Sequence, residues 1–221
     1  MSLITDNIRA VTTQLEPYKA KLVAVTKNQS VATIREAMAA GLSVLGENRV
    51  QEALSKTAEL ADASPEWHLI GHLQTNKVRQ ALPHFFLIHS VDSERLALEI
   101  SKEAARIQKV QDVLIQVNIA DEESKFGIEP QNVMALAQSI DQMPNIRLLG
   151  LMTIAPFYDD AEKTRPVFRC LAELFKKLSE AKLKNAEMKW LSMGMTHDYG
   201  VALQEGANLV RIGTGIFGAR G

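Results

Sequence analysis

Leu22-Val23-Ala24-Val25-Thr26-Lys27-Asn28 is an apolar, β-branched run that ends on a lysine, and it opens the alternation that decides the fold. Before it, Ile4, Ile8, Val11, Leu15 and Tyr18 recur at intervals of three and four, predicting an amphipathic helix over residues 2–19 that ends near Pro17. After it, Val31, Ile34 and Met38 read as a helix closed by Gly41, and Ser43–Gly46 as a short strand leading into a helical pattern at Val50, Ala53, Leu54 and Thr57. Further strands are expected at Trp67–Gly71, Phe85–His89, Asp112–Asn118, Arg147–Thr153, Trp190–Met193 and Leu209–Gly213, with helices between them. Asp92-Ser93 supplies an N-cap for the helix over 93–108, and Pro130 sits at a first helical turn. Eight strand-then-helix units in this length match a single α/β domain over residues 1–221, a (β/α)8 TIM barrel with an extra N-terminal helix. An open doubly wound sheet would show the same alternation, but no G-x-G-x-x-G follows the first strand.

Composition narrows the function. The chain has 221 residues, 46% hydrophobic and 23% charged, enough for a sizeable core. A net charge of −1 leaves no surplus of Lys and Arg to displace counterions, so nucleic acid is not an expected partner. No apolar run approaches a membrane span, and Met1 to Ala10 lacks the basic start and apolar core of a signal peptide, so a cytoplasmic protein is expected. Cys170 cannot form an internal disulfide, and it falls in the apolar series Val167, Cys170, Leu171, Leu174, Leu178, which points to packing.

In a barrel, active sites lie at the C-terminal ends of the strands. Lys27 meets that test: an ammonium at the tip of a strand fit for burial loses hydration, and its amine becomes a usable nucleophile for a carbonyl. The competing reading is that Lys27 marks where the strand reaches solvent. Lys189 precedes its strand, Lys77 lies in a helical stretch, and Lys125 sits in the acidic loop Asp121–Lys125. At the other end of the chain, Arg211-Ile212-Gly213-Thr214-Gly215-Ile216-Phe217-Gly218 joins a strand to a short helix. Its glycines let backbone amides approach a phosphate and Thr214 adds a hydroxyl, although a tight turn closing the barrel would look the same. Leu191–Asp198 brings Ser192 and the backbone around Gly194 to the same place, with Thr196 or Asp198 available to cap the next helix. Arg211 alternates with Val210 and Ile212; it either contacts a ligand or caps the barrel wall through a carboxylate. Asn48 stands at site height after the second strand, unless Glu47 and Asn48 are a helix N-cap. His68 and His72 are four apart on a strand and turn without a third ligand nearby, so no metal is expected. A lysine carbonyl trap and a phosphate cradle in one barrel mouth together suggest pyridoxal 5'-phosphate held as a Schiff base on Lys27.

The segments VAVTK (23–27), GENRVQE (46–52), WHLIGHLQTNK (67–77), HSVDS (89–93), VLIQVNIADEESKFGI (113–128), GLM (150–152), LSMGMTHD (191–198) and VRIGTGIFGAR (210–220) resemble, in order through nearly the whole chain, the YggS/PROSC family of pyridoxal phosphate homeostasis proteins. The resemblance implies a barrel similar to the N-terminal domain of alanine racemase, with the cofactor on Lys27. It also implies phosphate contacts from Ser192, Gly213 and Thr214, Arg211 at the cofactor and Asn48 beside the ring. Thr196 replaces the family's customary serine, Gly215 stands where alanine is common, and Asn28-Gln29 follows the lysine where Thr-Lys is frequent. The expected protein is a non-catalytic carrier, a monomer that buffers the cofactor and hands it to pyridoxal-phosphate-dependent apo-enzymes. The alternative is a racemase or decarboxylase of low activity. That would need a second acid or base on the other face of the cofactor, and the chain ends just after the eighth strand, without the β-domain that completes alanine racemases. A phosphosugar aldolase or isomerase is a third class, for which Glu47 is the one strand-end carboxylate.

Overall fold

The eight strands close on themselves in chain order, each parallel to its neighbours, and β8 pairs back onto β1. The computed structural model describes residues 2–120 and 126–218; the acidic loop with Lys125, and Arg220, lie outside the described residues. The strands are β1 (Lys21–Val25), β2 (Val44–Glu47), β3 (Glu66–Leu69), β4 (Leu87–Val91), β5 (Gln111–Gln116), β6 (Ile146–Met152), β7 (Ala186–Ser192) and β8 (Leu209–Ile212). Around them run α2 (Val31–Ala39), α3 (Val50–Glu59), α4 (Val78–Ala81), α5 (Glu94–Arg106), α6 (Val133–Asp141), α7 (Arg165–Glu180), α8 (Tyr199–Gln204) and the one-turn α9 (Thr214–Phe217), preceded by α1 (Leu3–Leu15).

Local chemistry accounts for most of these boundaries. Ser2 caps α1 by accepting from the Thr5 amide, and Pro17 leaves only a 3-10 turn beyond Leu15. The inward stripe Ile8, Val11 and Leu15 is buried, each side chain contributing about 1.5–3 kcal/mol. The N-terminal half of the helix is tied to α9 by Asn7 Nδ2 donating to Ile216 O at 3.0 Å. Ser93 caps α5 and Pro130 opens the turn before α6, both as the sequence predicts. Three expectations shift. The first strand stops at Val25, which leaves Thr26 and Lys27 on a loop. The helix expected near 74–82 is a 3-10 turn followed by the single turn α4. β7 begins at Ala186, so Lys189 lies within the strand, its Nζ 5.0 Å from the Trp190 ring.

Because strand side chains alternate, each strand sends one set outward to the helices and one inward. The outward set joins the helices in the main core. The inward set, including Val23, Val44, Leu87, Leu114, Leu149 and Leu209, fills the barrel as a second cluster. The same parity carries His68, His89, Ser192 and Arg211 into the barrel, all buried. Among the described residues no helix is long and apolar enough to cross a membrane.

Candidate functional site

Lys27 is half-buried on the loop after β1, and the residues on both sides of it are clamped. Lys56, from α3, is buried and donates to Thr26 O (2.6 Å), Glu47 Oε1 (2.6 Å) and Glu52 Oε1 (2.7 Å). Thr26 Oγ1 donates to the same Glu47 oxygen at 2.6 Å, and Glu52 Oε1 accepts from the Asn28 amide. Asn28 has φ +61°, a left-handed conformation that asparagine tolerates, and it turns the chain away after the lysine. Lys27 therefore leaves a loop whose backbone is pinned at positions 26 and 28, a preorganised base for a reactive amine. Burial pushes the Glu47 carboxyl up despite the hydrogen bonds from Lys56 and Thr26. Burial would raise Glu52 too, but its bonds from Lys56 and the Asn28 amide hold it below the usual range. A cavity of about 310 Å³ opens here, lined by Lys27, Asn28, Asn48, Arg49 and Glu52.

The other half of the mouth comes from the loops after β7 and β8. Gly194 has φ +91°, and a Cβ there would sit 2.7 Å from Ala202 Cβ and 2.9 Å from Tyr199 Cα, so only glycine lets this loop lie on α8. The loop then returns Thr196 to the start of α9, where its Oγ1 accepts from the Gly215 amide (3.1 Å) and from Thr214 Oγ1 (3.2 Å). Gly215 makes that approach close: a Cβ would meet Thr196 Cγ2 at 3.0 Å and Ile212 Cγ2 at 2.9 Å, so an alanine there would need those methyls to shift. Gly194→Ala is expected to cost about 2–4 kcal/mol in urea unfolding, from positive φ and overpacking together. A loss under about 1 kcal/mol would show that this loop does not depend on the turn.

Arg211 is buried inside the mouth, donating to Ser192 Oγ (2.6 Å) and Thr153 O (2.8 Å), and burial lowers its guanidinium to about 10. Among the described residues no carboxylate is in ion-pair contact with it, so it does not cap the wall through one. Gly213 places its Cα so that a Cβ would contact Val25 at 3.4 Å. With Ala24 opposite Ile212 in the β1–β8 ladder, this brings the Gly213–Gly215 turn beside the loop that carries Lys27.

The sequence-predicted residues are thus brought into one mouth in two groups: Lys27 with Asn48, and Gly194, Gly213 and Thr214 with Arg211. Neither Glu47 nor Asn48 caps α3; the N-cap position is Arg49, which makes no side-chain cap bond. Ser192 is fully buried and held by Arg211 and His89, on the inner side of the same group. Thr196 offers a half-buried hydroxyl at the start of α9, a residue the sequence signalled as a possible helix cap and as a departure in the LSMGMTHD motif. Lys56 and Glu52 gave no local signal, since their partners are set by how α3 lies on the β1 loop. His68 bonds Glu66 and His89 inside the barrel while His72 stacks on Phe126 outside it, and among the described residues no cluster could hold a metal.

The family model described as "Alanine racemase, N-terminal domain" matches residues 1–221. The chain is 49% identical to the pyridoxal phosphate homeostasis protein of Aquifex aeolicus, covering 91% of this chain and 87% of that one. To the protein of the same name from Pseudomonas aeruginosa it is 41% identical, covering 100% and 97%. It superposes on PipY of Synechococcus elongatus PCC7942, solved without and with PLP bound, at TM-scores of 0.92 and 0.90 and 38% identity, covering 97% of this chain and 100% of that chain. Alanine racemase from Corynebacterium glutamicum, at 17% identity and TM-score 0.73, shares the fold over 60% of its own length.

Proposed function

The chain belongs to the alanine racemase N-terminal domain family, and from that premise we propose that it binds pyridoxal 5'-phosphate through Lys27 and acts in vitamin B6 homeostasis, holding the cofactor without turning over a substrate. The observation that carries this reading is the meeting of a pinned, solvent-reaching lysine with a hydroxyl- and glycine-lined turn across the β1–β8 seam. The donor set fits the cofactor: an amine for its aldehyde, hydroxyls and a close-approach backbone for its phosphate, a guanidinium and an amide for its ring. When bound, pyridoxal phosphate supplies an aldehyde that condenses reversibly with a primary amine, and a phosphate dianion. Lys27 would provide the amine, Gly213, Thr214 and Thr196 would hold the phosphate, and Arg211 and Asn48 would contact the ring.

The carrier reading is supported by the company Lys27 keeps. The carboxylate that lines its cavity, Glu52, is occupied by Lys56 and the Asn28 amide and is held ionised, so it is poorly suited to deliver a proton. The buried histidines lie in the barrel interior, under Arg211, rather than in the Lys27 cavity. The protein, loaded with pyridoxal phosphate and freed of excess, should restore activity to a pyridoxal-phosphate-dependent apo-enzyme while leaving L-alanine and other amino acids unracemised and undecarboxylated. Sustained turnover of an amino acid would sink the carrier assignment. Thr196→Val should weaken cofactor binding about 10- to 100-fold, the value of one hydrogen bond to a charged group, read from a binding isotherm in visible absorbance. Unchanged affinity would remove Thr196 from the phosphate site.

A further inference from the structure

The interior of a TIM barrel is ordinarily filled by branched apolar side chains. Here it contains an unbroken file of polar groups. Arg211 Nη1 meets Ser192 Oγ at 2.6 Å, Ser192 Oγ meets His89 Nδ1 at 3.0 Å, His89 Nε2 meets His68 Nδ1 at 3.0 Å, and His68 Nε2 meets Glu66 Oε1 at 2.9 Å. Both imidazoles are buried, whereas Glu66 is part-exposed at the start of β3 and pairs with Lys21 Nζ at 2.9 Å. The file runs from the N-terminal end of the barrel to the mouth, joining β3, β4, β7 and β8.

Its proton order follows from its two ends. A guanidinium only donates, so Ser192 accepts from Arg211. At the other end, Glu66 is an ionised acceptor: the hydrogen bond from His68, with further help from Lys21, holds its carboxyl at about 2. His68 Nε2 must therefore donate. Burial keeps both imidazoles neutral, lowering His68 against its Glu66 bond and His89 well below the usual range, with His68 and Arg211 adding to the effect on His89. A neutral His68 that donates from Nε2 accepts at Nδ1; His89 then donates from Nε2 and accepts at Nδ1; Ser192 gives its proton to His89. Every hydrogen in the file points from Arg211 toward Glu66, so the bonds polarise one another in one direction.

We propose that Glu66, His68, His89 and Ser192 are positioning residues that link the Glu66 carboxylate to Arg211 and fix the direction of its guanidinium. Stability alone is a poor reason for such a file, because buried polar groups cost free energy that apolar side chains of similar volume would not. Its use lies at Arg211: a guanidinium locked from behind presents its remaining N–H groups at one angle to whatever the mouth holds. The inference rests on Arg211 facing the cofactor, and the test separates the two.

The first arm needs no cofactor: ¹⁵N NMR of the imidazoles in the cofactor-free protein should show both His68 and His89 neutral, with hydrogen on Nε2. A cationic ring or an Nδ1–H tautomer in either would overturn the relay, whatever the protein binds. The second arm is a double-mutant cycle read by the affinity for pyridoxal phosphate and the position of its bound absorption band. Glu66→Gln keeps the acceptor but removes the charge, and should weaken binding about three- to ten-fold and move the band. In a Ser192→Ala background, which deletes only the link, the same substitution should change neither; Ser192→Thr, which keeps the hydroxyl, should restore the coupling. Equal effects of Glu66→Gln in both backgrounds, or none in the wild type that binds the cofactor, would overturn the proposal. Thermal melts confirm that each variant is folded. A wild type that shows the Nε2–H tautomers but binds no pyridoxal phosphate would refute the cofactor assignment and leave the relay standing.

Discussion

Lys27→Ala, incubated with pyridoxal phosphate and reduced with borohydride, is expected to gain no mass, whereas the wild type gains one pyridoxyl phosphate and turns colourless from yellow. The reason is chemical: the variant keeps Gly213, Thr214, Thr196 and Arg211, so the proposed phosphate site is left in place, but no amine stands at the end of the clamped loop. Residual binding should be non-covalent and weaker by orders of magnitude, since a covalent, reversible bond formed in a preorganised site carries the effective concentration of its neighbour. Intact mass, with peptide mapping of the modified lysine, decides it. Modification of another lysine to the same extent in wild type and variant would remove Lys27 from its role and return the loop to the plain reading of a strand reaching solvent.

Lys56→Met should produce the largest loss of stability on this side of the barrel. Its ammonium neutralises Glu47, whose side chain is fully buried, and satisfies Thr26 O; methionine fills the volume and does neither. Removing one partner of a buried pair leaves an uncompensated charge, at a cost of about 3–5 kcal/mol. For a chain of this size that corresponds to roughly 6–20 °C in melting temperature. The pH dependence has a definite sign. Burial already raises Glu47, and without Lys56 the rise is larger, so the folded variant binds a proton more tightly than the unfolded chain. Stability tied to such a group is present below the unfolded carboxylate value and lost as pH rises through the folded one. The gap between Lys56→Met and wild type should therefore narrow as pH falls from 7 toward 5. A variant that melts within a degree of wild type, or falls further behind in acid, would contradict this account. The same substitution loosens the loop at Thr26 and Asn28, so cofactor retention should drop although Lys27 is untouched.

What the chain reveals by itself is what short-range physics encodes. Alternation with period two along DVLIQVN and recurrence every three or four residues along α1 and α7 are local properties, and caps such as Ser93 and Pro130 act within one turn; eight such units favour a barrel over an open sheet, and the structure closes it. Lys27 and the Gly213–Gly215 turn were legible for the same reason, because a lysine ending an apolar strand and glycines opening a helix are anomalies within a few residues. Other features depended on closure. Ser192 and His89 are 103 residues apart, and only the curvature that turns β4 and β7 to a common interior brings them into contact beside Arg211. Lys56 reads as an exposed helix position until α3 lies over the β1 loop and makes it the partner of Glu47 and Thr26. Strand periodicity says that a side chain points inward; which inward side chains touch is set by barrel stagger and by the few ångströms within which a hydrogen bond exists, and only the tertiary structure determines those.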